Sequence, residues 1–375
     1  MTVKKTANME IKKKNHSDIF QLLRKSDGLT KQEIVNTLQL CLPTVTQNIN
    51  DLSGQGLVTE YGTKGNTGGR RAKLYGIVKD AHVAVGIDIT RNHVAIVAVD
   101  LTGSICYKKR VRRKFEETDD YYRYLGELVD DCIRSVNITP ERVLGVGIGV
   151  PGLVTADNQT VFYGEILHFT GATCSQFSRY ISYPTVMLND AKAAGFAETW
   201  IKPDIKTAFY LMLSNNIGGA VIMNGSPYMG SHFRSGEVGH ICIERNGRKC
   251  YCGQRGCVDC YLAATELSDL TDGKIAGFFS LLAEGDPEAK ARWDSYLDHL
   301  AFTVNNVYML FDCPIILGGY VGEYLPAYMG EIKERARKYN SFETNADYLL
   351  PCMYRTEAIA AGSALHFITQ FLESI

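Results

Sequence analysis

No stretch of eighteen consecutive apolar residues occurs in this sequence, so no segment reads as a membrane-spanning helix. The opening residues, MTVKKTANMEIKKKNHSD, are basic and polar throughout, so no secretory signal is expected. No period of solenoid length recurs, and no low-complexity run interrupts the chain. These absences make the cytoplasm the expected compartment, with no membrane partner. Glutathione there keeps thiols reduced, so disulfides are not expected.

Against that background, His240 to Cys260 is unusual: HICIERNGRKCYCGQRGCVDC holds five of the eleven cysteines. In reducing surroundings such a cluster points to a metal. Cys250 and Cys252 flank one residue, Cys257 follows five later, and GQRG supplies a turn that brings three thiolates together. His240, ten residues upstream, completes the Cys3His set of a structural zinc site. A redox switch made from the same thiols is the competing reading. Cys260 is left over and is expected to be a small buried apolar residue. Glu237 precedes His240 by three residues and Asp259 follows Cys257 by two, so the metal clip would hold two carboxylates toward a cleft.

With 375 residues and 45% apolar content, the chain can bury two or three cores. Its net charge of −1 is unevenly spread. Residues 1–80 carry thirteen Lys and Arg against seven Asp and Glu, an excess of six positive charges, which leaves −7 on the rest. An excess of this sign suits a polyanionic partner, although a solvated basic tail gives the same count.

The pattern within that segment is more specific. Ile19, Leu22 and Leu23 mark one helix, Thr30 caps a second over KQEIVNTL, and a third follows Pro43 with Val45, Ile49 and Leu52 inward. That leaves Thr44, Thr46, Gln47, Asn48 and Asn50 outward, short polar side chains suited to a major groove. Cys41 is a poor cap, so the third helix is expected to start frayed. GLVTEYG, TKGNTGG and RRAKLYGI then read as strand, glycine-rich turn and strand. The result is a helix-turn-helix with a β-wing carrying Lys64, Arg70, Arg71 and Lys73, and operator DNA is the expected partner.

Beyond residue 80, HVAVGIDIT and HVAIVAVDLTGSI read as a hairpin, and RVLGVGIGVPGLV as a buried strand ending in a turn. TVMLND runs into the helix AKAAGFAETW. TAFYLMLSNNIGGAVIMNG forms a strand pair, CPIILGG a further strand, and AIAAGSALHFITQFLESI a closing helix. Two α/β sets imply two lobes around a cleft. Asn189 and Asp190 sit at a strand-to-helix junction, where α/β proteins gather ligand contacts, although both residue types are also common helix caps.

Taken in order, GIDIT, GIGVPG, LNDAKAAGFAE, NIGGAVIMNG, GEVGH, CYCGQRGC and ILGG resemble the ROK family of repressors and sugar kinases. The resemblance spans nearly the whole chain and implies a two-lobed actin-like α/β sugar kinase fold behind a winged helix. Its divisions would be 1–78 for the DNA-binding unit, 79–190 for a first lobe closed by a helix at 356–375, and 191–355 for a second lobe with the zinc loop. The family's zinc ligands match His240, Cys250, Cys252 and Cys257. The resemblance also implies that Asn189, Asp190, Glu237, His240 and Asp259 bind a sugar or sugar phosphate, although the family usually has Glu where this chain has Asp259.

In ROK kinases the residue at Asp190 is the base that activates the sugar hydroxyl, which is the alternative function here with ATP and magnesium. The family's kinases carry an Asp-x-Gly-Gly-Thr-like first loop, whereas this chain has Asp88, Ile89, Thr90 and Arg91. Their second loop is usually Gly-Thr-Gly, whereas here Ser214, Asn215 and Asn216 precede Ile217, Gly218 and Gly219. Gly318 and Gly319 survive, a pair that packing explains equally well. The expectation is therefore a sugar-responsive repressor without kinase activity, acting as a homodimer or homotetramer. A protein–protein adaptor on an inactive kinase fold is the third reading.

Overall fold

In the computed structural model, residues 2–64 and 71–375 are described, with side chains from residue 11 onward. The chain begins with helix α1 (Thr2–Arg24), a short strand β1 (Leu29–Thr30), helices α2 (Lys31–Leu38) and α3 (Leu42–Gly54), and strands β2 (Val58–Lys64) and β3 (Ala72–Ile77). The three strands form an antiparallel sheet in the order β1-β3-β2. Thr30 and Glu33 close a reciprocal capping box on α2, satisfying two end N–H groups that the helix itself leaves open. Cys41 precedes α3 without a side-chain cap, and Pro43 lies in its first turn, where a missing N–H costs nothing. Ile19, Phe20 and Leu23 of α1, Ile34 of α2, and Val45, Ile49 and Leu52 of α3 are all buried.

A first α/β layer follows: β4 (Val83–Ile89), β5 (His93–Asp100), β6 (Ile105–Arg112), helix α4 (Asp119–Ser135), β7 (Val143–Val150), a ribbon of β8 (Leu153–Val154) and β9 (Val161–Tyr163), the single turn α5 (Cys174–Phe177), β10 (Thr185–Asn189) and helix α6 (Asp190–Trp200). The sheet order is β10-β7-β4-β5-β6, parallel across β10-β7-β4 and antiparallel across β4-β5-β6. Every residue of β4 is buried, as expected for a strand covered on both faces.

The second layer contains β11 (Ala208–Leu213), β12 (Ile217–Met223), β13 (Ser226–Pro227), the short helices α7 (Asp259–Leu262) and α8 (Thr265–Ser268), α9 (Ile275–Glu284), the long α10 (Pro287–Phe311), β14 (Ile315–Gly318), the turn α11 (Gly319–Gly322), α12 (Met329–Arg337) and β15 (Leu349–Pro351). Its order, β13-β12-β11-β14-β15, repeats the first sheet's plan: three antiparallel strands in a row, then two parallel strands on the other side of the first. Helix α13 (Ala358–Ser374) closes the chain and packs across β4, β5 and β7. No helix among the described residues is long and apolar enough to cross a membrane.

The contact between α13 and the first sheet is backbone-close. A Cβ added at Gly86 would meet Ala360 O at 1.8 Å, and one at Gly147 would meet Ser363 O at 2.1 Å. Both obstacles are helix backbone, which cannot rotate away as a side chain tip would. Gly86→Val should therefore destabilise the protein by about 2–3 kcal/mol or more through overpacking, read from the urea midpoint at an unchanged slope. A midpoint equal to wild type would show that α13 yields at this position.

Candidate functional site

A cavity opens where the two layers meet. The turn after β7 supplies Gly152 and Leu153, the β9 region Tyr163 and Glu165, and the β12 start Asn216 to Gly218. The junction of β10 and α6 supplies Asn189 and Asp190, and the 237–251 loop supplies Glu237, His240 and Tyr251. Strand ends place most of these groups because side chains there point past the sheet into open space.

Asn189 combines the two roles that its position allows. Its Oδ1 accepts from Lys192 N at 3.0 Å, capping α6, while its Nδ2 donates to Gly152 O at 3.1 Å and to Asp190 Oδ1 at 3.1 Å. Asp190 Oδ1 also accepts from Ala191 N at 2.7 Å. These bonds fall on one oxygen and leave Oδ2 for a ligand hydroxyl. Burial, partly offset by the Ala191 bond and reinforced by Glu237, pushes the Asp190 carboxyl up to about 7. Lys192 is buried, donates to Phe233 O at 3.1 Å, and has its pKa lowered by burial. The Glu237 carboxyl is pushed up by burial and drawn back by Lys192 and His240.

The 240–257 loop brings the four expected metal ligands together. The donor atoms of His240, Cys250, Cys252 and Cys257 all lie within 4.8 Å of one another. Cys252 Sγ and Cys257 Sγ are 3.7 Å apart, and Cys250 Sγ is 3.9 Å from His240 Nδ1. A tetrahedron with metal–sulfur bonds of about 2.3 Å has edges of about 3.8 Å, so the spacing fits a single ion. His240 Nε2 meets Tyr251 Oη at 3.3 Å, which leaves Nδ1 to face the thiols and gives the other ring nitrogen an outer partner. Tyr251 lies between two of the cysteines and also lines the cavity, so the His/Cys cluster and the cavity wall are one piece of chain.

Three expectations are corrected. Asp259 does not line the cavity: it is buried behind it, with Oδ1 accepting from Ile217 N at 2.7 Å, so its shorter side chain anchors the start of β12. Asn48 does not face outward on α3; it is buried, donating to Thr44 O at 2.8 Å with its Oδ1 3.0 Å from His16 Nδ1. Position 48 sits three residues after Val45 and four before Leu52, on the inward stripe that helical geometry defines. Cys260 is half-buried, with its Sγ 3.9 Å from Arg248 O.

The remaining α3 residues, Thr44, Thr46 and Gln47, are half-buried, half-buried and exposed. Lys64 pairs with Glu33 at 2.6 Å and Lys73 with Glu60 at 2.8 Å. Arg71 is exposed, and Arg70 lies outside the described residues. Lys192, Tyr163 and Tyr251 were not singled out from sequence. The location of Tyr251 between two metal-type cysteines was the available signal, whereas nothing local marked the other two.

Near Asp190, Asp88 at the end of β4 is buried, and its Oδ1 has no hydrogen-bond partner. Burial, and then Asp190, push this carboxyl up to about 7, while Arg110 draws it down. A raised folded-state pKa means that the unfolded chain releases the proton first, so this group's contribution to stability is lost as pH rises from about 4 to about 7. Asp88→Asn should therefore raise the melting temperature more at pH 8 than at pH 5. Equal shifts at the two pH values would place the charge elsewhere.

The sequence model of the ROK family matches residues 84–369. The xylose repressor of Bacillus subtilis (strain 168) is 26% identical over 381 residues, covering 97% of both chains. A putative xylose repressor of Caldicellulosiruptor sp. is 27% identical over 69% of this chain and 66% of its own length. Among solved structures, a ROK family transcriptional regulator, a homologue of the Escherichia coli MLC protein, superposes with a TM-score of 0.73 at 19% identity over 96% of both chains. A ROK family glucokinase from Streptomyces griseus, crystallised with glucose and AMPPNP, superposes at 0.64 with 20% identity over 76% of this chain and 98% of its own. The two-lobed actin-like sugar kinase fold is common to them, and the chain belongs to the ROK family.

Proposed function

We propose that the chain is a sugar-responsive transcriptional repressor. In this reading α1–α3 with β2 and β3 form a winged helix that binds operator DNA, and the cavity at Asn189, Asp190, Glu237 and His240 takes a sugar or sugar phosphate that lowers DNA affinity. One observation carries it. Ile19, Phe20, Leu23, Val45, Ile49 and Leu52 of the N-terminal helices share a continuous apolar core with Ala84, Val97 and Val99 of the first sheet and Leu365, Ile368 and Leu372 of α13. A unit built into the same core as the first lobe must move with it. The names of the xylose repressors fit this reading, and xylose heads the candidate effectors.

On the DNA side, Gln47, Asn50, Thr44 and Thr46 of α3 and the cations Lys64, Arg70, Arg71 and Lys73 are the proposed contacts. The Lys64 and Lys73 pairs are exposed, so they are worth little and can be exchanged for phosphate oxygens.

At the loops where family kinases hold phosphates, this chain has occupied positions. Arg91 Nη2 donates to Ile166 O at 2.8 Å, Thr90 is bonded to His93, and Ser214 Oγ accepts from Tyr320 N at 3.3 Å. Side chains there replace the open glycine backbone that phosphates need. This supports a binding pocket without turnover. The kinase alternative rests on Asp190, whose carboxyl near 7 would suit a general base. ATP consumption over a sugar panel separates the two.

Three thiolates and an imidazole in a closed tetrahedral arrangement suit zinc, held by His240, Cys250, Cys252 and Cys257. When bound, the ion neutralises the thiolates and fixes the loop that presents Glu237 and Tyr251. Purified protein should hold about one zinc per chain, and Cys252→Ala should lose it. A folded, metal-free preparation of the wild type would overturn this assignment.

Operator affinity measured with and without the best sugar from a thermal-shift panel tests the function directly. Allosteric coupling is commonly about 5- to 150-fold, so a drop in that range is expected. Asp190→Ala should keep operator binding and lose the response. Equal affinity with and without a confirmed ligand would sink the reading.

A further inference from the structure

Helix α6 runs from the cavity to the N-terminal helices. It begins at Asp190 in the cavity wall and ends eleven residues on at Trp200, a reach of about 15 Å. It packs against α13 on one side and β11 and β12 on the other. A Cβ added at Gly362 of α13 would meet Ala193 O of α6 at 1.8 Å, so the two helices cross backbone to backbone. Towards its end, the buried Glu198 carboxylate accepts from Met353 N at 2.8 Å and from Tyr354 N at 2.7 Å, which ties the last turn of α6 to the segment leading into α13. Packed this closely on both sides, the helix shifts as a rod.

Trp200 is held from three directions. Its Nε1 donates to Thr369 Oγ1 of α13 at 3.0 Å. Its ring lies over Gly103, where a Cβ would come within 2.2 Å of Cζ3. Over the ring stands the guanidinium of Arg24, the last residue of α1, 4.7 Å from the ring centroid. Arg24 Nε donates to Gln21 Oε1 at 3.0 Å, and burial lowers the pKa of the guanidinium. A cation withdrawn from bulk water gains more from an aromatic face than an exposed one does. Arg24 directly follows Leu23, which shares its apolar core with Val45 and Leu52 of α3.

We infer that the Arg24–Trp200 contact is the joint through which occupancy of the cavity reaches α1, so that both are positioning residues of the sugar response and belong to neither binding site. A hydroxyl ligand bonded to Asp190 acts on the first residue of α6, and the rod carries that displacement to its last. There it meets a directional contact. A cation–π pair holds while the cation stays within about 6 Å of the ring centroid, so a shift of roughly 1 Å takes the pair from its present 4.7 Å to near that limit. Apolar packing alone has no such directional dependence. The regulatory part of this inference rests on the repressor reading; the joint itself is a property of the chain without DNA.

Fluorescence on the full chain tests the joint. The two tryptophans are Trp200 and Trp293, so Trp293→Phe leaves Trp200 as sole reporter. Titrated with D-xylose, D-glucose and N-acetyl-D-glucosamine, this variant should shift its emission with at least one of them, over the same concentrations that raise its melting temperature. Arg24→Gln in that background should remove most of the emission shift while the thermal shift remains. Emission that none of the three sugars moves, or a shift that survives Arg24→Gln, would overturn the inference. Operator affinity with and without the same sugar supplies the second readout. The ratio of the two should fall about 5-fold or more in Arg24→Gln and in Trp200→Leu, and Arg24→Lys, which keeps a cation, should restore part of it. The double variant should lose no more than either single one, because both remove one contact. A pair that only stabilises the fold would lower the melting temperature and leave the ratio unchanged, which would overturn the inference, as would additive losses. A full sugar response in the variants would defeat the joint and leave the repressor reading intact. A sugar that moves Trp200 through Arg24 without changing operator affinity would defeat the repressor reading and leave the joint standing.

Discussion

The backbone-close seating of α13 on the first sheet is the constraint on which the other features depend. Gly86 and Gly147 leave no room for a Cβ beneath Ala360 and Ser363, so the last helix lies directly on β4 and β7. Its residues Leu365, Ile368 and Leu372 belong to one apolar core with Ile19, Val45 and Leu52 of the N-terminal helices. Interiors packed at this density transmit displacement and do not absorb it. The same helix contacts α6, whose first residue is Asp190, so the Asp190 end of the cavity and the N-terminal helices are two ends of one packed assembly. His82 and Phe371, with ring centroids 4.6 Å apart, extend that contact to the last turn of α13.

The chemistry of the cavity follows from where carboxylates are buried. Asp88, Asp190 and Glu237 sit near one another with few compensating cations, Lys192 and Arg110 being the nearest named. Burial disfavours their charged forms, which suits a site that exchanges hydrogen bonds with hydroxyl groups. The 237–251 loop adds rigidity, because the ligand cluster and the wall residues Glu237 and Tyr251 alternate along the same stretch. Asp259 shows the complementary case: one oxygen of a buried carboxylate in the same region accepts from the Ile217 backbone N–H and so fixes the start of β12.

Local chemistry made much of this legible. The four donor residues could be named from spacing and residue type, because a turn of four residues cannot separate Cys252 from Cys257 widely, and the structure brings all four within reach of a single ion. Thr30 announced the start of α2, and apolar runs with glycine turns marked β4, β5 and β7. The family itself was visible in short motifs, and the match over residues 84–369 bears that out. Each of these signals is contained within about ten residues, where covalent geometry and backbone hydrogen bonding leave few options.

Other features depended on pairing across the chain and left no local trace. The two sheets share one strand order with no repeat visible in the sequence, because topology is set by which buried faces meet and many sequences satisfy the same pattern. The long charged-then-apolar α10 and the strand β6 fell outside the motifs for the same reason. Asn48 was misplaced because a polar side chain says nothing about whether His16, thirty-two residues away, will offer it a partner. Asp259 was misplaced because a carboxylate near a metal loop can meet either a ligand or a backbone N–H, and only the approach of Ile217 decided between them. By itself the sequence determined residue chemistry, helix ends, strand periodicity and which His and Cys residues a short loop gathers. The tertiary structure alone decided which polar groups face the cavity, since burial depends on neighbours that the chain supplies from far away.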